Sequence, residues 1–201
     1  MIVGIDFSIN STSVVIKMPK SHVYLSFVPN YNEKLKGFKT HEELKKPLVV
    51  CSYNKNTVST NSIEEQSMKL KNADELSDLI ITTLKTLVVI PEEIRIEGFS
   101  FGSKGNSFID LITYNTFLKV KLIREYGHII KVVPPKTLKK LYTGNGNASK
   151  CDMLRTFMNS DLGRLQQKIK ALGFFKEEGE FTIPKPIDDI CDAFALTEIL
   201  I

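Results

Sequence analysis

Three short runs of β-branched and apolar residues precede the first helical pattern of this chain, and beyond them helical and strand-like patterns alternate. The runs cover residues 2–5, 13–17 and 22–28, and their length and alternation are typical of strands. Polar residues 6–12 separate the first two runs and suit a hairpin turn. Strands first, followed by alternating helices and strands, predict an α/β fold built on a sheet of mixed direction.

The later patterns complete one layered domain. The predicted elements are an edge strand at 48–53, helices at 62–87 and 106–126, strands at 93–98 and 129–133, shorter helices broken near 144–146, and a closing helix from about Pro186. Residues 29–47 contain prolines, asparagines and a glycine, which indicate an insertion or a long loop. At 201 residues we expect a single domain over 1–201 with an insertion around 29–60.

The composition excludes several classes of protein. Hydrophobic residues make up 42% of the chain and charged residues 25%, which excludes disordered, collagen-like and disulfide-rich classes. Three cysteines without CxxC spacing favour a reduced, intracellular chain. No apolar run reaches the ~18 residues of a membrane span, and the first residues lack the basic segment of a signal peptide. We therefore expect a cytoplasmic protein, in the nucleoid or in a host cytoplasm if its source is a virus.

Charge is distributed unevenly along the chain. Residues 93–150 carry ten Lys/Arg and four Asp/Glu, a net charge of +6, whereas residues 151–201 carry six and nine, a net charge of −3. The formal net charge of the whole chain is only +4. A basic segment beside an acidic one suits a polyanionic partner, although a solvated surface would explain the same pattern.

Four carboxylates lie where the predicted elements can bring them together. Asp6 ends the first strand, Glu97 lies near the end of a later one, and Asp189 and Asp192 share one face of the closing helix. Like charges this close raise one another's pKa unless cations bind, and Mg²⁺ prefers oxygen ligands of this kind. Two such ions would activate a water and stabilise the leaving oxygen of a phosphodiester.

Each of these acids also has a structural interpretation. An aspartate after a strand is commonly a turn residue, and Asp188 and Asp189 in a first helical turn favour the helix dipole. Glu97 could occupy an ordinary surface position. No spacing rule links positions so far apart, so the residues alone give the cluster moderate weight.

The segment from residue 136 to residue 150 carries lysines and no acid. Its lysines are Lys136, Lys139, Lys140 and Lys150. Gly144 and Gly146 could let backbone N–H groups approach a phosphate, and the lysines would add charge. The alternative is a helix–turn–helix junction, with glycine as a C-cap and Ser149 or Asn147 as the next N-cap. Both interpretations can hold together.

Aromatic residues surround the loop after Glu97. Phe99, Phe101 and Phe108 stand among small residues, and an exposed one could stack on an unpaired base. The default expectation is that at least two of them belong to the core.

Four segments together resemble the RuvC-type Holliday-junction resolvases of the RNase H-like (retroviral integrase-like) superfamily. They are Ile-Val-Gly-Ile-Asp6-Phe-Ser-Ile-Asn-Ser-Thr, Ile-Arg-Ile-Glu97, Val-Val-Pro-Pro-Lys136 through Lys150, and Asp189-Ile-Cys-Asp192-Ala-Phe-Ala-Leu. Matching segments cover roughly half of the chain. The Asp-x-x-Asp-Ala motif joined to the basic segment is fairly specific, whereas Gly-x-Asp alone is not.

The resemblance implies an RNase H-like three-layer fold with a mixed, mostly five-stranded sheet flanked by helices. It implies a homodimer that cuts four-way DNA junctions by paired symmetric nicks, using Mg²⁺ or Mn²⁺ with two ions in each active site. The family's four metal-binding carboxylates correspond to Asp6, Glu97, Asp189 and Asp192. Its two lysines near the scissile phosphate correspond to Lys139 and Lys150, with Lys136 and Lys140 as further DNA contacts, and its junction-wedging aromatic to Phe99 or Phe101.

The chain also departs from that family. The stretch from Lys17 to Pro91 is longer than expected for bacterial members, and residues 159–185 are expanded. With 23 lysines against 4 arginines, this suggests a divergent viral or phage member. A broader branched-DNA nuclease and a catalytically idle DNA-binding module therefore stand as alternatives. An actin- or hexokinase-type phosphotransferase shares the strand and Gly-x-Asp, but needs a second such domain.

Overall fold

The computed structural model describes residues 1–56, 62–87, 90–99, 106–127, 129–160 and 163–201, except the side chains of residues 62, 63, 106 and 107. Six strands and seven helices occur in these ranges. The strands are β1 (Ile2–Asp6), β2 (Thr12–Met18), β3 (Ser21–Pro29), β4 (Leu48–Tyr53), β5 (Glu93–Glu97) and β6 (Ile130–Val133). The helices are α1 (Phe38–Leu44), α2 (Ser62–Leu87), α3 (Asn106–Tyr126), α4 (Pro135–Thr143), α5 (Lys150–Asn159), α6 (Arg164–Ala171) and α7 (Ile187–Glu198).

The strands form one mixed sheet in the order β4-β3-β2-β1-β5-β6. β1, β2 and β3 are antiparallel neighbours, while β5 runs parallel to β1 and β6 parallel to β5. The β1–β5 register pairs Ile5 with Ile96, so the next residues, Asp6 and Glu97, lie at the same end of neighbouring strands. The sheet therefore brings together two of the acids identified in the sequence.

Helices cover both faces of the sheet and give the fold three layers. On one face, strand residues such as Ile5 and Val14 pack with α2 and α3 in the largest hydrophobic cluster. On the other face, Val15 and Tyr24 pack with α5, α6 and α7. Successive side chains of β2 thus belong alternately to the two hydrophobic cores, because neighbouring residues of a strand point to opposite faces of the sheet.

Helix α7 approaches β1 very closely at Gly4. A Cβ atom at this position would overlap the carbonyl oxygen of Ala193. Glycine is needed here because there is no room for a side chain between strand and helix. This contact places the acidic first half of α7 beside the carboxyl end of β1.

The α/β fold class expected from the sequence, a mixed sheet flanked by helices in three layers, is confirmed. The sheet has six strands where mostly five were expected, because β4 adds to the outer edge of β3 in parallel. Within residues 29–47, described as an insertion or a long loop, the structure has the short helix α1, whose Leu44 is fully buried. No helix in the described ranges is long and apolar enough to cross a membrane.

Candidate metal and nucleic-acid site

Three of the four carboxylates meet at one end of the sheet. Asp6 ends β1, Glu97 ends β5 and Asp192 lies on α7, and one oxygen from each is within 4.8 Å of the others. Asp6 is only 8% exposed, and the other two are half-buried. The strand register and the close packing of α7 on Gly4 produce this convergence.

Asp189 lies next to this triad with both oxygens already in contact with protein groups. The Ser11 hydroxyl, in the β1–β2 turn, donates to Oδ2 of Asp189 at 2.8 Å. The Lys185 ammonium donates to Oδ1. Asp189 is still close enough for its charge to raise the pKa of Asp6 and Asp192. The structure therefore places all four acids in one neighbourhood but only three in a compact ligand set.

Burial and mutual repulsion shift the titration of the acidic centre. Burial is the main cause of the raised pKa of Asp6, Glu97, Asp189 and Asp192. Neighbouring carboxylates add to the shift, and the pKa of Asp192 rises to about 8. One oxygen of Asp6 and one of Glu97 lie within 4.8 Å of each other, so each carboxyl group makes ionisation of the other less favourable. Without a cation, the centre retains protons that ordinary carboxyl groups have lost at neutral pH.

The triad fits a divalent cation. Its ligand atoms are carboxylate oxygens, which Mg²⁺ and Mn²⁺ prefer, and their spacing lets them contact one ion. Because burial and the neighbouring carboxylates raise the pKa of Asp6 and Asp192, an ion at this place would relieve the repulsion.

Lys150 and Lys139 lie at the border of the centre. Lys150 begins α5, and its Nζ lies 2.5 Å from Oδ2 of the buried Asp188. The Nζ of Lys139, on α4, donates to the carbonyl of Ala148 at 2.8 Å. Both ammonium groups are near enough to Glu97 to oppose the rise of its pKa.

The basic segment has the geometry of a helix junction. Gly144 ends α4 in the left-handed conformation, with φ of 82°, and Ser149 caps α5 with a reciprocal capping box to Asp152. The structural interpretation of this segment is therefore confirmed. The side chains of Lys136 and Lys140 point into solvent from α4.

Of the two aromatics assigned to the site, Phe99 is described and Phe101 lies outside the described residues. Phe99 is half-buried and packs edge-on against Phe108, with ring centroids 5.8 Å apart. The Lys119 ammonium lies 4.9 Å from the centre of the Phe99 ring. Phe108 is half-buried as well.

A cavity of about 330 Å³ joins these features. Glu97, Phe99, Lys139, Lys150 and Asp192 all contribute to its walls. Acidic, basic and aromatic groups that are far apart in the sequence thus share one concave surface.

Sequence reasoning missed four residues of this region. Lys185, Ser11 and Asp188 contact the acids or their lysines directly. The fourth, Asn115 on α3, is 2% exposed, lines the cavity, and has an amide oxygen without a hydrogen-bond partner among the described residues. Of these four, only Asp188 could have been identified from the sequence, because it is adjacent to Asp189. The preference for acids in a first helical turn explains its position equally well.

No protein-family model and no curated protein sequence matches the chain. Among solved structures, the chain is similar to a Thermus thermophilus RuvC structure, with a TM-score of 0.49 and 13% identity, covering 97% of this chain and 91% of that one. It is also similar to T. thermophilus RuvC in complex with a Holliday junction substrate, with a TM-score of 0.49 and 14% identity, covering 97% and 88% of the two chains.

Proposed function

We propose that this chain is a divalent-metal-dependent DNA endonuclease that acts on branched DNA, with four-way junctions as its main substrate. The observation that carries the proposal is the triad of Asp6, Glu97 and Asp192, two of whose members, Glu97 and Asp192, line one cavity with Lys139 and Lys150. Carboxylates for a cation and ammonium groups for a phosphate are the two requirements of phosphodiester hydrolysis.

Each side chain of the site would have a distinct role. Asp6, Glu97 and Asp192 would hold the divalent ion, Mg²⁺ or Mn²⁺, which supplies Lewis-acid stabilisation and a more acidic water. Lys150, whose side chain is mostly exposed, would contact the scissile phosphate. Lys139 would add a positive charge beside the same phosphate. Lys136 and Lys140 would bind phosphates farther along the strand. Phe99, on the cavity wall, is the candidate for stacking on an unpaired base.

A four-way junction has two-fold symmetry, so symmetric cleavage needs two identical centres. We propose that a homodimer supplies them through the outer face of α3. This face exposes Ile109, Ile112, Val120 and Ile123 at helical spacing. Of the lysines of α3, Lys121 pairs with Asp74 and Asp78 of α2, and Lys119 lies over Phe99. Arg124, four residues after Val120, is exposed at the border of the stripe. These apolar side chains suit contact with a second copy of the chain, because a two-fold axis places the same residues against each other.

Cleavage of synthetic DNA tests the proposal. The full chain with Mg²⁺ is expected to nick a four-way junction at symmetric positions on two opposing strands, and to leave a linear duplex of the same sequence uncut. Equal cutting of flaps and other branched forms would favour the broader branched-DNA nuclease. Junction binding without cleavage in Mg²⁺ or Mn²⁺ would favour the idle DNA-binding module and would overturn the proposal.

A further inference from the structure

Lys185 lies between two adjacent carboxylates at the start of α7. Its Nζ is 3.1 Å from Oδ2 of Asp188 and also donates to Oδ1 of Asp189. Lys185 precedes α7 and its N-cap Pro186, and the two acids follow three and four residues later in the first turn of that helix. The Lys185 side chain is 31% exposed, so solvent cations have limited access to the carboxylates that it contacts.

Both oxygens of Asp189 already accept hydrogen bonds from protein groups. Lys185 occupies one carboxylate oxygen and the Ser11 hydroxyl occupies the other at 2.8 Å. The oxygens within 4.8 Å of one another come from Asp6, Glu97 and Asp192 alone among the described residues. A second divalent ion held by Asp189 would have to displace the Lys185 ammonium from its carboxylate.

We propose that Lys185 serves as a fixed cation in the position of a second divalent ion, so that each centre binds one ion instead of the two expected from the sequence. Lys185 is in this sense a positioning residue: it holds Asp189 and supplies its counter-charge. The inference rests on the proposed metal site of the nuclease and specifies its stoichiometry.

The charges of the centre agree with this assignment. Five carboxylates and three ammonium groups lie together, which leaves a net charge of −2 when all are ionised. They are Asp6, Glu97, Asp188, Asp189 and Asp192, with Lys139, Lys150 and Lys185. One divalent ion neutralises this charge. A second would leave an excess of +2 inside a half-buried centre, which is unfavourable unless anionic substrate is already bound.

Counting bound Mn²⁺ tests the inference without reference to activity. The full chain, stripped of metal, is titrated with Mn²⁺ while free ion is measured by electron paramagnetic resonance. One ion per chain is expected for the wild type. Lys185→Met removes the charge at similar length, and we expect it to bind two ions, with the second at least tenfold tighter than any second ion of the wild type. Lys185→Arg keeps the charge and is expected to bind one.

Two results would overturn the inference: two comparable Mn²⁺ sites in the wild type, or a single site in both the wild type and Lys185→Met. Thermal unfolding establishes that each variant is folded, and Lys185→Gln gives the same readout if the methionine variant is not. The outcome is independent of the nuclease assay. A chain that binds one ion but cuts no DNA refutes the proposed function alone, and a junction nuclease that binds two refutes the stoichiometry alone.

Discussion

Asp6 and Glu97 lie side by side at the ends of paired parallel strands, with one carboxyl oxygen of each within 4.8 Å of the other. Two carboxyl groups in this position need a shared proton or a cation between them. The pair therefore links the β1–β5 register directly to the chemistry of the site. Its replacement should affect catalysis and stability in opposite directions.

Replacing Asp6 by Asn or Glu97 by Gln should reduce junction cleavage in Mg²⁺ at least about 100-fold, since a ligand of the cation is removed. Junction binding should change little, and unfolding in EDTA should require equal or higher temperature because repulsion is relieved. Single-turnover cleavage, electrophoretic mobility shift and calorimetry measure the three effects. Glu43→Gln, an exposed acid on α1, is the matched control and should resemble the wild type. Normal cleavage by either site variant would refute the metal assignment.

The metal-free protein should become less stable as pH rises from 5 to 8. Burial and neighbouring charges raise the pKa of Asp192 to about 8 and raise that of Asp6. The folded state therefore binds more protons than the unfolded chain above pH ~4, and stability falls as pH rises through the folded pKa. Melting temperatures in EDTA check this slope, which Asp192→Asn should flatten.

A control for this pH dependence is Glu93, whose pKa is lowered because Arg95 and Lys131 hydrogen-bond to it. With no histidine among these partners, Glu93→Gln should lower stability over the whole window and leave the slope unchanged. A melting temperature that rises with pH in the wild type would contradict the predicted protonation of the acidic centre.

Divalent ions should reverse that loss of stability. An ion that binds only the folded state at 100 times its Kd adds about 2.7 kcal/mol to the free energy of unfolding. Because the ion replaces protons, the gain should be larger at pH 8 than at pH 6. Melting curves with and without Mn²⁺ measure it, and Glu97→Gln should lose most of the gain. An equal gain in that variant would place the ion elsewhere.

The exposed lysines of α4 should contribute to affinity for DNA without regard to sequence. Replacing Lys136 and Lys140 by Ala should weaken junction binding and reduce the slope of log K against log salt by about 0.9 for each phosphate that is no longer neutralised. Binding isotherms at several salt concentrations give the slope. A double replacement of Lys36 and Lys39, both exposed near or on α1, is the control. An unchanged slope in the α4 variant would remove these lysines from the interface.

Val120→Glu should convert a dimer to a monomer, because a two-fold axis would bring two new carboxylates together on the apolar α3 face. Sedimentation equilibrium measures the change. Val49→Glu alters a similarly exposed valine on β4 and should leave the association state unchanged. A wild type that sediments as a monomer at micromolar concentration, with or without junction DNA, would refute the proposed assembly.

Much of the fold could be predicted because local patterns of hydrophobic residues indicate its strands and helices. The alternation in β2 and β3, and the long amphipathic repeats of α2 and α3, each follow from one face being buried. Helix α1 was missed because it has seven residues and Gly37, in the left-handed conformation, precedes it without a side-chain cap. A helix this short depends on tertiary contacts, here the burial of Leu44.

The site was harder to predict because its partners are distant in the sequence. Asp6 and Glu97 were found from their places at strand ends, which are local signals. Ser11 and Asp189 are 178 positions apart, and no local sequence pattern indicates their contact. Lys185 is close to its partners in sequence, but the packing of α7 on β1 is what places Asp189 beside the triad.

That packing has a consequence for biosynthesis. Asp6 leaves the ribosome long before Asp192, which lies on the helix that packs against Gly4. The β1, β2 and β3 strands can pair during translation, but the acidic centre assembles only after residue 192 has emerged. Until then the nascent chain exposes the β1 face that α7 later covers and carries no complete metal site. The three carboxylates therefore cannot form a compact set before this helix has packed against β1.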